Sequence, residues 1–169
     1  MSSRRAVRLL LLLLALVLTF VAFGSPSFTW GNEGVRVQHP WAQAVAAFGA
    51  ALALAGAAFG FARLAPRIAL GLAAAVLVAL SAHHLAWRLE ALDAGVNERS
   101  LRGAVSLSWS EIVSVEPTVG AVTLRSRSGK RLVIGTRGFE PDERVRLERT
   151  IARRVREAAN LQHLSLIHI

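Results

Sequence analysis

Two stretches, Trp41 to Phe61 and Ile68 to Trp87, each run for about twenty residues without a formal charge. As helices they are long enough to cross roughly 30 Å of hydrocarbon. Between them Ala62-Arg63-Leu64-Ala65-Pro66-Arg67 supplies two arginines and a proline, so the spacing predicts a transmembrane helical hairpin over 41–88. With 53% of its residues apolar and gathered into long runs, the chain belongs to the membrane class rather than to water-soluble globules.

Upstream, Arg4, Arg5 and Arg8 precede the unbroken apolar run Leu9 to Phe23, which ends in small residues. Residues 1–24 therefore read either as a secretory leader or as a further transmembrane anchor, and the six leucines Leu9 to Leu14 favour the anchor. Residues 25–40 hold Pro, Gly, Asn and Glu without a sustained period and read as a loop, with Trp30 and Trp41 as interfacial aromatics. Basic residues set the orientation. The amino-terminal tail carries three and the hairpin turn two, against Arg36 alone in the loop, which puts tail and turn on the cytoplasmic side of a cell membrane and the carboxy-terminal domain on the outer side.

Small residues recur on the second span at Gly49, Ala53, Gly56 and Gly60. Side chains this small let helix backbones approach closely. The simplest partner is the third span, whose Gly71, Ala75 and Ala79 repeat at four; a homodimer through Gly56 and Gly60 is the alternative. His83 and His84 invite a metal reading. Neighbouring helical residues point about 100° apart, however, so the pair needs further ligands from elsewhere, and membrane-interface residues are expected instead.

From about Leu89 the composition turns to charged residues and short β-like runs. Gly95 to Arg99 and Ala104 to Leu107 are weak strand candidates, and Trp109 to Pro117 is a stronger one. Ala121 to Arg127 and Lys130 to Ile134 flank Ser128-Gly129 as a β-hairpin. Pro141, followed by Asp142 and Glu143, opens a helix with the apolar stripe Leu147, Ile151, Val155 and Ala158, while Arg146, Arg149, Arg153 and Arg156 occupy its remaining surface. Residues 89–160 are thus expected to form a small α+β domain that folds alone.

The run Trp109-Ser110-Glu111-Ile112-Val113-Ser114-Val115-Glu116, the hairpin after it and the Pro-led helix resemble the bacterial pleckstrin-homology (PH)-like domains found after transmembrane hairpins in small membrane proteins. The resemblance covers roughly 89–160. It implies a bent, partly open barrel closed by a helix, and a role in binding or assembly rather than chemistry. The tail 161–169 departs from the helix's style, and its Leu164 to Ile169 looks like an in-frame translation of a transposon end used in sequencing libraries.

Chemistry is hard to find in this chain. There is no cysteine, no phosphate-cradling glycine loop and no paired-histidine zinc motif, so no cofactor or metal is expected. Glu111 and Glu116 fall on opposite faces of a strand and read as solvated rather than as an acid and base pair. What remains is charge. The formal +9 comes from nineteen Arg and one Lys, and Arg125, Arg127, Lys130 and Arg131 converge on one hairpin. The expectation is a non-enzymatic, multi-pass membrane protein whose domain binds lipid headgroups or a protein partner at the membrane surface. Nucleic acid is not expected, because aromatic residues are not interleaved with the arginines. The competing expectation is an accessory subunit of a larger membrane complex that packs through its hairpin.

Overall fold

A chain that places leucine toward its solvent folds for lipid, and the helical unit does so. In the computed structural model, which describes residues 3–167, helices α1 (Ser3–Ala22), α2 (Trp41–Phe59) and α3 (Leu64–Ala86) are each long and apolar enough to cross a membrane. Leu9, Leu10, Leu13, Leu16 and Phe20 of α1 and Leu72 and Val76 of α3 all lie exposed, while the buried residues are mostly alanines. Lipid tails are as apolar as leucine, so these helices gain by close packing and hydrogen bonding rather than by hiding large side chains.

Helix α2 is the shared element. One of its faces, Ala50 and Ala51, packs with Ala74 and Leu77 of α3, and Ala46 and Ala47 pack with Ala22 of α1. The Ser81 hydroxyl of α3 donates to the Ala44 carbonyl of α2 over 2.8 Å. Such an interhelical bond contributes about 0.6 kcal/mol in a bilayer. The guanidinium of Arg8 donates to the Gly60 carbonyl and lies 4.4 Å over the Phe61 ring, so the start of α1 and the end of α2 share one end of the unit.

The small-residue faces differ from expectation. A side chain placed at Gly49 would meet Leu18, one at Gly56 would meet Leu11, and one at Gly60 would meet Arg8, all three on α1 rather than α3. Ala53 is buried on the same helix. The row Gly71, Ala75 and Ala79 of α3 points away from its neighbours, and a β-carbon at Gly71 would meet nothing within 4 Å. The inward stripe of α3 is Ala74, Leu77, Ser81 and His84, spaced 3, 4 and 3 as a helix face requires.

The second unit is β-rich and discontinuous in sequence, combining residues 25–38 with residues 88–169. Here the loop reading of 25–40 and the domain start at 89 are corrected. Ser27–Gly31 (β1) and Gly34–Gln38 (β2) form a hairpin around Asn32 and Glu33, with Gly31 opposite Gly34. Gly34 takes φ +141°, and a β-carbon there would collide with the Ala91 carbonyl of the adjacent strand, so the close approach requires glycine. β2 continues the sheet by pairing antiparallel with Arg88–Leu92 (β3), from Gly34 opposite Leu92 to Gln38 opposite Arg88. The whole α2–α3 hairpin is therefore an insertion between two paired strands.

Gly95–Ser100 (β4) and Gly103–Ser108 (β5) complete a five-stranded sheet in the order β1-β2-β3-β4-β5. A 3-10 turn, Trp109–Glu111, leads into the three-stranded sheet of Ile112–Thr118 (β6), Ala121–Ser126 (β7) and Arg131–Gly135 (β8). Gly129, at φ +80°, makes the β7–β8 turn. Val35, Val37, Leu89, Val96, Leu107, Val122, Leu124, Leu132 and Ile134 are fully buried, and Leu147 and Ile151 of helix α4 (Pro141–Ile167) join them. The Trp109 indole donates to the Leu92 carbonyl over 2.6 Å, fastening the 3-10 turn to the end of β3. Helix α4 carries on through the first part of the tail 161–169; the side chains from 162 onward lie outside the described residues.

Candidate functional site

Alternation places the arginines of the β7–β8 hairpin on its outer face. Arg125 and Arg131 sit directly opposite each other in register, and Arg127 and Lys130 flank the turn; all four are exposed. They are not a uniform positive patch. Arg125 makes an ion pair with Glu116 at 3.2 Å and a second contact at 3.3 Å through its other nitrogen. Across such an exposed pair the stabilisation is small, about 0.2–1 kcal/mol, but the charge is locally cancelled.

Glu111 and Glu116 are both committed to structure. Glu111 accepts from the Ser108 backbone N–H over 3.1 Å as half of a reciprocal cap on the 3-10 turn. The hydrogen bonds from the Ser108 backbone and side chain hold its carboxyl below the usual range, and the Lys130 ammonium adds to the effect.

A second basic site was not legible as such. Between the β1–β2 turn and α4 lies a cleft of about 720 Å³ whose walls include Trp30, Asn32, Arg146, Arg149, Arg153 and Arg154. Residues 146, 149 and 153 follow i, i+3, i+7 spacing, so one helix face delivers three guanidinium groups to it. Trp30, expected as an interfacial aromatic, is engaged here instead. Its indole N–H donates to Glu143 over 2.8 Å, and the Arg146 guanidinium lies 4.0 Å over its ring. Phe28 and Phe139 back this wall in an edge-on contact with centroids 4.9 Å apart.

The charges of the cleft are unequally spent. Arg154 is held by Asp93 at 2.6 Å, and Arg153 shares Glu157 at 3.7 Å. Among the described residues neither Arg149 nor Arg146 makes an ion pair; Arg146 stacks on Trp30, and Asp142 also lines the cleft. Two exposed guanidinium groups on adjacent turns, beside an aromatic wall, suit a planar or tetrahedral anion, which guanidinium grips with paired N–H donors. The arginines themselves were visible as a surface row on the helix. The opposite wall comes from the β1–β2 hairpin, whose residues have loop composition.

No family model, no curated protein and no solved structure matches the chain. Fold and site therefore rest on the geometry above.

Proposed function

We propose that this chain is a non-enzymatic, multi-pass membrane protein whose β-rich, PH-like domain binds an anionic group, on a lipid headgroup or a protein partner, beside the bilayer. The observation that carries the reading is the arginine-lined cleft, in which Arg146 and Arg149 make no ion pair among the described residues. Chain connectivity supports the location: two residues separate β2 from α2, and one separates α3 from β3. The antiparallel sheets closed by one helix are compatible with the PH-like resemblance. Arg4, Arg5 and Arg8 near the amino terminus, with Arg63 in the α2–α3 turn and Arg67 in the first turn of α3, support an extracytoplasmic domain.

The accessory-subunit reading is less well supported. Gly56 and Gly60, the face it would use, already receive α1.

The test uses the domain with residues 25–38 joined to 88–161 and vesicles with or without phosphatidylglycerol. Each Arg near an anionic surface contributes about 1 kcal/mol. Arg146→Gln with Arg149→Gln is therefore expected to weaken salt-sensitive vesicle binding about thirtyfold. Equal loss from Arg125→Gln, Arg127→Gln and Arg131→Gln would move the site to the β7–β8 hairpin. Binding indifferent to both sets rejects the lipid version.

A further inference from the structure

Three histidines meet at one end of the helical unit, and their reading is independent of the arginine cleft. His39 precedes α2, and His83 and His84 lie in the last turn of α3. Ring centroids are 4.1 Å apart for His39 and His84, and 6.1 Å apart for both His39–His83 and His83–His84. The Trp87 ring closes the far side of His39 at 5.4 Å.

The hydrogen bonds define which nitrogens are free. His84 is buried, with 7% of its surface exposed, and its Nε2 lies 3.0 Å from the Ala22 carbonyl of α1. A carbonyl only accepts, so Nε2 carries the proton and Nδ1 presents a lone pair. That Nδ1 is buried and has no hydrogen-bond partner among the described residues. His39 Nδ1 lies 2.8 Å from the Gln43 side-chain oxygen, so it too donates, leaving Nε2 as a lone pair. His83 is exposed and makes ring contacts only. A buried nitrogen without a partner is costly. An imidazole whose outer N–H is held by a carbonyl or amide oxygen while its other nitrogen stays free is oriented as metal-ligating histidines are.

We propose that His39, His83 and His84 bind a borderline divalent transition metal ion, of which zinc is the test case. At a zinc–nitrogen distance of about 2.0–2.1 Å, three imidazoles on a tetrahedral ion have ring centres about 5 Å apart. The observed 4.1 and 6.1 Å bracket that value, each about 1 Å away. Among the described residues no three such side chains are placed to hold an ion as the structure stands, so the proposal requires the exposed His83 ring to turn toward the other two. The fourth position belongs to water or to an exogenous ligand. Adjacent His83 and His84 need a further ligand to share one ion, and His39, two residues ahead of α2, supplies a third ring. An ion there ties the start of α2 to the end of α3 and, through the Ala22 carbonyl, to the end of α1.

The experiment uses the full chain in detergent, free of any purification tag and with His163→Ala and His168→Ala as background. Zinc alone is titrated by calorimetry, with metal content checked after dialysis, and cobalt(II) serves as a spectroscopic reporter of tetrahedral ligation. One zinc per chain with a dissociation constant below about 10 µM is expected. His83→Ala removes an exposed side chain and leaves the packing intact; it should weaken binding at least tenfold, as should Gln43→Leu, which frees the His39 ring. No uptake by the folded parent, or uptake unchanged in both His39→Ala and His83→Ala, overturns the assignment.

Discussion

Removing the membrane hairpin and closing the sheet tests the most consequential feature of the fold. Gln38 and Arg88 stand opposite each other across β2 and β3, so a two-residue Asn-Gly turn between them yields a continuous hairpin without α2 and α3. The joined domain has about ninety residues, for which a stability of about 4–13 kcal/mol is expected. Val35 and Val37 are each 1% exposed, and burying such side chains contributes about 1.5–3 kcal/mol apiece. Deleting β1 and β2 therefore costs about 3–6 kcal/mol, plus the exposure of Leu89 and Ala91 on the uncovered edge of β3. That loss is comparable to the whole stability. The joined domain should unfold cooperatively in urea with protected amides in β2 and β3. Residues 88–161 alone should show little protection and no cooperative transition, which replaces the expectation that 89–160 folds by itself. A shorter piece with the same urea midpoint as the joined domain would refute the argument.

Other consequences are sharper for being paired with a control. Gly56→Leu should lower the thermal stability of the full chain in detergent, because the new side chain meets Leu11 of α1, whereas Gly71→Leu, facing open space, should leave it unchanged. Glu111 titrates below its ordinary 4.5 in the fold, so its contribution is present above that pH and is lost as pH falls through the depressed value. In the joined domain, Glu111→Gln should consequently destabilise at pH 7 and converge with the parent under acid, a pattern read from urea midpoints at several pH values. The absence of cysteine makes labelling direct. Asn32→Cys in the β1–β2 turn and Asn97→Cys in β4 should react with an impermeant maleimide from one side of the membrane, and Arg63→Cys at the α2–α3 turn from the other.

The elements that were legible in the sequence are those whose signal is local. Three uncharged apolar runs give three helices because every backbone group in hydrocarbon must be satisfied within its own segment. The Ser128-Gly129 turn and the Pro141 helix start are likewise written in adjacent residues. β1 and β2 were lost for the converse reason. Gly31, Asn32, Glu33 and Gly34 have loop composition, although two glycines flanking two polar residues before the alternating Val35, Arg36 and Val37 are also a hairpin signal. What completes that signal is a partner strand some fifty residues away, on the far side of two membrane spans.

The same separation explains the missed clefts and faces. Arginine spacing on α4 declares a basic helix face, but a cleft needs two walls, and Trp30 becomes a wall only once β1 exists. Glycine spacing on α2 declares a face for close approach without naming the neighbour, and α1 takes it because Leu11 and Leu18 fill the space that α3 leaves to alanine contacts. His83 and His84, adjacent on one helix, need further ligands from elsewhere to share an ion, and the spacing along α3 does not show one. His39, only two residues ahead of α2, brings a third ring beside them. In each instance the chemistry of a side chain is visible locally, while its neighbours come from segments distant in sequence.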